Sequence, residues 1–238
     1  MKLISLSDII LFENENLVVV NKPAMLPTLE ERTQTGKSLQ QLAKAWNAEA
    51  QICHRLDKET SGCIIIAKNP ETYRFVSMQF EHREVDKTYH AIVDGLFDFK
   101  ELQINLPILN QGQGKVKIDR QEGKKAETIF NSIQFFKHYT LVSCKPITGR
   151  MHQIRIHLAS QHAAIVGDEM YKGKAVFLSE LKRKFKLGKD QEEQPIMKRF
   201  ALHAYQITFN VAENSSVTIT APYPKDFATL LKLLEKFD

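Results

Sequence analysis

The chain has 238 residues, enough for one large domain or two small ones, and a core of that size needs neither disulfides nor a structural metal. A content of 43% hydrophobic and 26% charged residues, with Gly 10 and Pro 8, excludes disordered, collagen-like and low-complexity chains. The net charge of +5 is concentrated: residues 172–200 hold nine basic and four acidic side chains, so this stretch alone carries the excess.

The N-terminus reaches Asp8 before any signal-peptide hydrophobic region is complete, which argues against secretion. Leu17 to Val20 reads as a buried strand stopped by Lys22-Pro23. From Ser38, the spacing of Leu39, Leu42, Ala43 and Trp46 predicts an amphipathic helix with a serine N-cap. Ile64 to Ala67 is a second buried strand, and Asn69-Pro70-Glu71 supplies cap, first-turn proline and early acid for a helix to about Arg83. Lys87 to Gly95 alternates as a strand, with Tyr89, Ala91 and Val93 on one face. Gly112, Gly114 and Gly123 mark a loop and turn before strands near 125–135 and 138–145. Thr148-Gly149-Arg150 opens a helix whose apolar side is Met151, Ile154 and Leu158. Strands follow near 201–210 and 215–220, and a last helix spans about Lys225 to Phe237. No repeat, linker or compositional break divides the chain, so one catalytic domain over 1–238 is expected. The mixed element order predicts an α+β fold with a mainly antiparallel sheet flanked by helices.

Several chemistries find no support. Cys53, Cys63 and Cys144 form neither an even disulfide set nor a C-x-x-C pair, which suits a reducing cytosol, and no apolar run is long enough for a bilayer. Gly167 to Ala175 has five residues between its first two glycines and Ala where a phosphate-binding loop needs Ser or Thr, so an ATP site is rejected. His152, His157 and His162 are spaced by five, which puts successive rings about 140° apart on a helix, unlike a zinc helix. Neither a G-x-S-x-G elbow nor a G-x-G-x-x-G fingerprint occurs.

His54-Arg55-Leu56-Asp57-Lys58-Glu59-Thr60-Ser61-Gly62 crowds charged and titratable groups into a turn that runs straight into a buried strand. By residue chemistry alone this reads as a solvated loop, or as a junction able to hold an acid at the rim of the core. The stretch resembles the HRLD-x-x-TSG signature of the RluA family of RNA pseudouridine synthases, with its aspartate at Asp57. KTYHAIVDG at 87–95 resembles the family strand that carries an active-site tyrosine, here Tyr89. TGRMHQIRIH at 148–157 resembles the family's arginine segment, here carrying Arg155. NKP at 21–23, KKAET at 124–128, GDEMY at 167–171, ALHAY at 201–205 and AP-x-P-x-D at 221–226 are further similarities in the family's order. Met25 stands where the family usually has glycine, and the signature's start at residue 54 leaves no room for the N-terminal RNA-binding domain of many relatives.

What the resemblance implies is a pseudouridine synthase fold with a central RNA-binding cleft and the isomerisation of a uridine in ribosomal or transfer RNA. That reaction breaks the bond between ribose and the uracil ring nitrogen, turns the base and rejoins it through carbon 5, without a cofactor. Asp57 is the implied carboxylate, kept ionised by Arg155. Tyr89 stacks on the uracil near the proton that leaves carbon 5, and Arg55 fills the space of the flipped base. His54, Arg150, His152 and Gln153 are expected substrate contacts. Without an extra RNA-binding domain, the basic residues Lys182, Arg183 and Lys184 are expected to grip RNA as well. A cytoplasmic monomer is expected, with no nucleotide cofactor and no membrane contact. Two other readings are a non-catalytic RNA-binding module that kept the fold, and a carboxylate nucleoside hydrolase, which would release free uracil.

Overall fold

A computed structural model describes residues 5–30, 37–183, 185–186, 188 and 192–238. Lys184 and Lys189 of the basic segment lie outside the described residues. In chain order the elements are a 3-10 turn Leu6–Ile9, β1 (Ile10–Glu13), β2 (Leu17–Lys22), α1 (Leu39–Trp46), β3 (Gln51–Ile52), β4 (Ser61–Ala67), α2 (Pro70–His82) and β5 (Asp86–Asp94). Then come β6 (Leu102–Asn105), β7 (Ile108–Gly112), β8 (Lys115–Ile118), β9 (Glu127–Phe135), β10 (Tyr139–Pro146) and α3 (Gln153–Ser160). A 3-10 turn Glu169–Tyr171, α4 (Leu178–Leu181), β11 (Leu202–Ala212), β12 (Ser215–Thr220) and α5 (Lys225–Lys236) complete it. No described helix is long and apolar enough to cross a membrane. β1–β2, β2–β4, β3–β4, β6–β9, β7–β8, β9–β10 and β11–β12 pair antiparallel and β4 pairs parallel with β11, as expected of an α+β fold with a mainly antiparallel sheet.

The chain forms two compact units, Met1–Tyr89 with His203–Pro222 and His90–Leu202 with Tyr223–Asp238. In the first, the strand order is β1-β2-β4-β11, with β12 beside β11 and β3 beside β4. β2 and β4 are continuous apolar runs because they are buried on both faces. Val18, Val20, Ile64 and Ile66 pack with Leu39, Leu42 and Ala43 of α1, whereas Leu17, Val19, Cys63 and Ile65 pack with Val76 of α2. Both helices start as their sequences dictate. Ser38 accepts the Gln41 N–H while the Gln41 side chain returns to the Ser38 N–H, and Asn69 accepts the Thr72 N–H ahead of Pro70.

The second unit orders β5-β10-β9-β6, with β7 and β8 as a separate hairpin. Two expectations need correction here. The glycine-rich stretch read as a loop is the β7–β8 hairpin, whose turn has positive φ at Gln113 (50°) and Gly114 (74°). Its strands escaped notice because only Ile108 and Val116 are buried, too few to make an alternation. The helix expected to open at Thr148 starts at Gln153, behind a left-handed His152 with φ 55°. It is buried from Gln153 through Leu158, so it has no solvent face there and Arg155 lies inside the protein.

Met25, in place of the family's glycine, has φ 66° and is 55% exposed. A side chain costs about 1–2 kcal/mol in that conformation, and Gly loses about 0.5–1 kcal/mol of that advantage to chain entropy. Met25→Gly should therefore raise the melting temperature by up to a few degrees. A lower value in thermal denaturation would show that the methionine side chain contributes more than it strains.

Candidate active site

Asp57 lies half-buried in the turn between β3 and β4, and the backbone on either side of it is tied down. Upstream, Leu56 is buried in the α1-side core. The Thr28 hydroxyl donates to the Leu56 carbonyl at 2.8 Å and accepts the Leu56 N–H at 3.2 Å. Downstream, the Lys58 carbonyl accepts the Met25 N–H at 2.9 Å and the Lys22 ammonium at 3.0 Å. The Thr60 N–H closes the turn on the Asp57 carbonyl at 3.1 Å. Lys22 is fully buried, and its ammonium also donates to the carbonyls of Leu26 at 2.8 Å and Pro23 at 3.0 Å. A buried ammonium is tolerable only with such a set of acceptors, so Lys22 serves as an internal tie.

The Thr-Ser-Gly end of the signature has its own reasons. Ser61 is buried and shares a 2.9 Å hydrogen bond with Nδ1 of His203, whose Nε2 lies 3.1 Å from the Ala221 carbonyl. A carbonyl can only accept, so Nε2 carries the proton and Nδ1 accepts from the serine hydroxyl. In the parallel β4–β11 pair, Gly62 faces Ala204 with φ 117°, and a Cβ there would come within 2.2 Å of the Ala204 oxygen. Only glycine lets β4 begin so close to β11.

Tyr89 stands at the end of this unit, partly buried against the cluster that holds Leu56 and Ala204. Burial first, then the charge of Asp57 and the nearby Cys63, push its phenol well above the ordinary tyrosine range, so it stays protonated at neutral pH. Burial pushes the thiols of Cys53 and Cys63 up to about 12, so neither is a thiolate nucleophile at neutral pH.

His54, expected to touch substrate, has a framework contact: its Nε2 accepts the Ile65 N–H at 3.1 Å and its ring packs 4.7 Å from Phe80. Burial, and then the charge of Lys87, lower its pKa to about 3. Below the unfolded value of 6.5, the unfolded chain binds a proton that the folded chain refuses, so stability falls with pH from about 6.5 towards 3. Buried His157 is shifted the same way. Between pH 7 and 5, urea denaturation should show a loss of about 1–2 kcal/mol through His54. His54→Gln should flatten that slope; an unchanged slope would show that His54 is not its source.

In the second unit, Arg155 is 6% exposed and held on all sides. Its Nε donates to Asp168 Oδ2 at 2.6 Å and its Nη2 to Oδ1 at 2.7 Å, a two-pronged pair. The guanidinium also lies 4.3 Å from the ring centre of Phe200 and 5.0 Å from that of Tyr171. Gly167, with φ 78° and its Cβ position 2.6 Å from the Arg199 oxygen, lets the chain pass closely enough to deliver Asp168. Gln153 also turns inward. Its amide donates to the Glu127 carbonyl and the Thr128 hydroxyl, and its oxygen accepts from the Thr148 hydroxyl and the Arg150 N–H. With its hydrogen-bonding capacity used internally, Gln153 shapes the turn before α3 and has nothing left for substrate.

His152 is partly buried, its Nδ1 3.0 Å from the Tyr171 hydroxyl. Arg55, Arg150, Lys182 and Arg183 are exposed. One member of the basic segment is withdrawn: Arg199 is buried and pairs with Asp226 at 2.7 Å, which holds the Asp226 carboxyl below its ordinary range despite burial. Lys22, Thr28, Ser61, His203 and Asp168 were not singled out in the sequence, although NKP, TSG, ALHAY and GDEMY contain four of them. Thr28 belongs to no such motif.

Residues 16–160 match the family model described as RNA pseudouridylate synthase. The chain is 31% identical over 242 residues to ribosomal large subunit pseudouridine synthase D of Borreliella burgdorferi, covering 96% of this chain and 69% of that one. It is 35% identical over 167 residues to the dual-specificity RNA pseudouridine synthase RluA of Salmonella typhi, covering 68% and 76% of the two. Among solved structures, human RNA pseudouridylate synthase domain containing 4 aligns with a TM-score of 0.73 at 26% identity, covering 97% of this chain and 94% of that one. The anchored HRLD turn with its neighbouring tyrosine thus sits on the matching fold, and the chain belongs to the RNA pseudouridylate synthase family.

Proposed function

We propose that the chain isomerises a uridine in ribosomal or transfer RNA, with Asp57 as the acting carboxylate and Tyr89 and Arg155 as its catalytic companions. The observation that carries this reading is the turn itself: a half-buried carboxylate on backbone fixed at both neighbours. Fixed backbone matters because a reacting group must be held within a fraction of an ångström of its target. A phenol that resists ionisation can stack on a base and donate a hydrogen bond, but it does not act as a standing phenolate.

The reaction exchanges one bond to the ribose for another and moves a proton from carbon 5 to the ring nitrogen, so it is neutral in atoms and electrons and calls for no nucleotide cofactor. Because the bond to be broken lies within a stacked nucleotide, the base must be turned out at a cost of a few kcal/mol. Exposed Arg55 is suited to occupy the vacated place, and exposed Arg150, Lys182 and Arg183 are suited to phosphates. The relatives' names, a large-subunit ribosomal enzyme and a dual-specificity RNA enzyme, support an RNA substrate.

Incubation of the purified protein with unmodified ribosomal and transfer RNA, followed by nucleoside chromatography, tests this. Pseudouridine should appear with matching loss of uridine. Free uracil would make the chain a hydrolase, and unchanged uridine would leave an RNA-binding module.

A further inference from the structure

We infer that Thr28 is a positioning residue for Asp57: its single hydroxyl fixes the peptide group immediately before the catalytic aspartate and so sets where that carboxylate stands. The inference rests on the proposed role of Asp57 and adds to it a residue outside every motif quoted above.

Thr28 is 4% exposed and Leu56 is 6% exposed, so the hydrogen bonds between them are formed away from water. The hydroxyl gives its proton to the Leu56 carbonyl at 2.8 Å and takes the Leu56 N–H at 3.2 Å. One side-chain oxygen therefore serves both polar groups of a residue, as a paired strand would. Thr28 is in turn held by the start of α1. The first two N–H groups of that helix, from Leu39 and Gln40, lack partners within the helix and donate to the carbonyls of Pro27 at 2.8 Å and Thr28 at 3.1 Å. Leu39 and Leu56 belong to the same core cluster. A path of contacts thus runs from the helix end, through the Thr28 backbone and hydroxyl, to the residue preceding Asp57. Lys22 and Met25 fix the residue that follows Asp57 by binding the Lys58 carbonyl. With both neighbours held, the Asp57 side chain starts from a fixed point on the backbone.

Valine matches threonine in shape and lacks the hydroxyl. Thr28→Val leaves the Leu56 N–H and carbonyl without that partner in a buried place, and the turn must move to recover hydrogen bonds. A displacement of about 1 Å at a reacting group lowers turnover by about 10²-fold. No substrate contact is removed, so RNA affinity should hold.

The experiment measures kcat, KM and RNA Kd of folded wild type, Thr28→Val and Thr28→Ser, well below their melting temperatures. Expected are a kcat reduced roughly tenfold to a hundredfold in Thr28→Val with KM and Kd within about twofold, and recovery to within about threefold in Thr28→Ser, which keeps both hydrogen bonds. A merely structural threonine would lower the melting temperature and leave kcat of the folded enzyme at the wild-type value, overturning the inference. So would a parallel loss of RNA affinity, or a Thr28→Ser as slow as Thr28→Val. If Thr28→Val does not fold, Thr28→Cys, a weaker donor and acceptor of similar reach, is measured instead. An intermediate kcat then supports the inference and a wild-type kcat overturns it. Failure of the underlying reading is separate, because it would appear as a wild-type enzyme that makes no pseudouridine, or as an Asp57→Asn variant that still does.

Discussion

Asp57→Asn should abolish pseudouridine formation, by roughly 10⁴-fold or more, while RNA binding stays within about threefold of wild type. The substitution keeps the shape of the side chain and removes its charge and its ability to act as a nucleophile or base. The ties described for the turn run through backbone groups: Leu56 to Thr28, and Lys58 to Lys22 and Met25. They survive the exchange, so the variant should fold, and thermal denaturation checks this before its activity is read. Asp57→Glu keeps the charge on a side chain one methylene longer, and should lose about 10²-fold because the carboxylate no longer meets its target in register. Turnover by a clean Asp57→Asn preparation would remove this residue from the chemistry.

The largest effect on stability should come from Asp168→Ala. The Arg155–Asp168 pair is buried at both ends, with side-chain exposures of 7% and 1%. Removing the carboxylate takes a two-pronged partner from a guanidinium that lies inside the protein near Tyr171 and Phe200. Breaking one partner of a buried pair costs about 3–5 kcal/mol. Replacing both partners, as in Arg155→Met with Asp168→Leu, should regain much of that stability, since apolar groups of similar size often fill the place of a buried ion pair at little cost. Urea denaturation of the three proteins measures this. Because Arg155 is proposed to act with Asp57, the double variant should be stable and inactive. A double variant that is both stable and active would make the pair purely architectural.

Much of the fold is legible in the sequence because local signals and burial agree. β2 and β4 show as apolar runs since both faces are covered, and α1 and α2 announce their starts through Ser38 and Asn69. The β7–β8 hairpin and the delayed start of α3 are hidden for the opposite reason. The hairpin is mostly solvent-facing and polar, while the turn before α3 depends on Gln153 reaching back to Glu127, Thr128 and Thr148, a tertiary arrangement without a periodic signature. The site divides in the same way. Asp57, Tyr89 and Arg155 are marked by motif, but a motif does not say what holds its residues. Thr28 looks like any loop threonine until folding brings it to Leu56, 28 positions away. His54 and Gln153 show the converse: residues inside a motif whose hydrogen bonds turn inward and serve the framework.

The central claim is that one carboxylate on an anchored turn drives isomerisation of a uridine in RNA. Its most direct measurement is pseudouridine mapping at single-nucleotide resolution, in ribosomal and transfer RNA from cells that carry either the wild-type chain or Asp57→Asn as their sole copy. At least one uridine should be pseudouridine with the wild-type chain and remain uridine with the variant, at matched protein levels. Identical maps from the two cell lines would contradict the account.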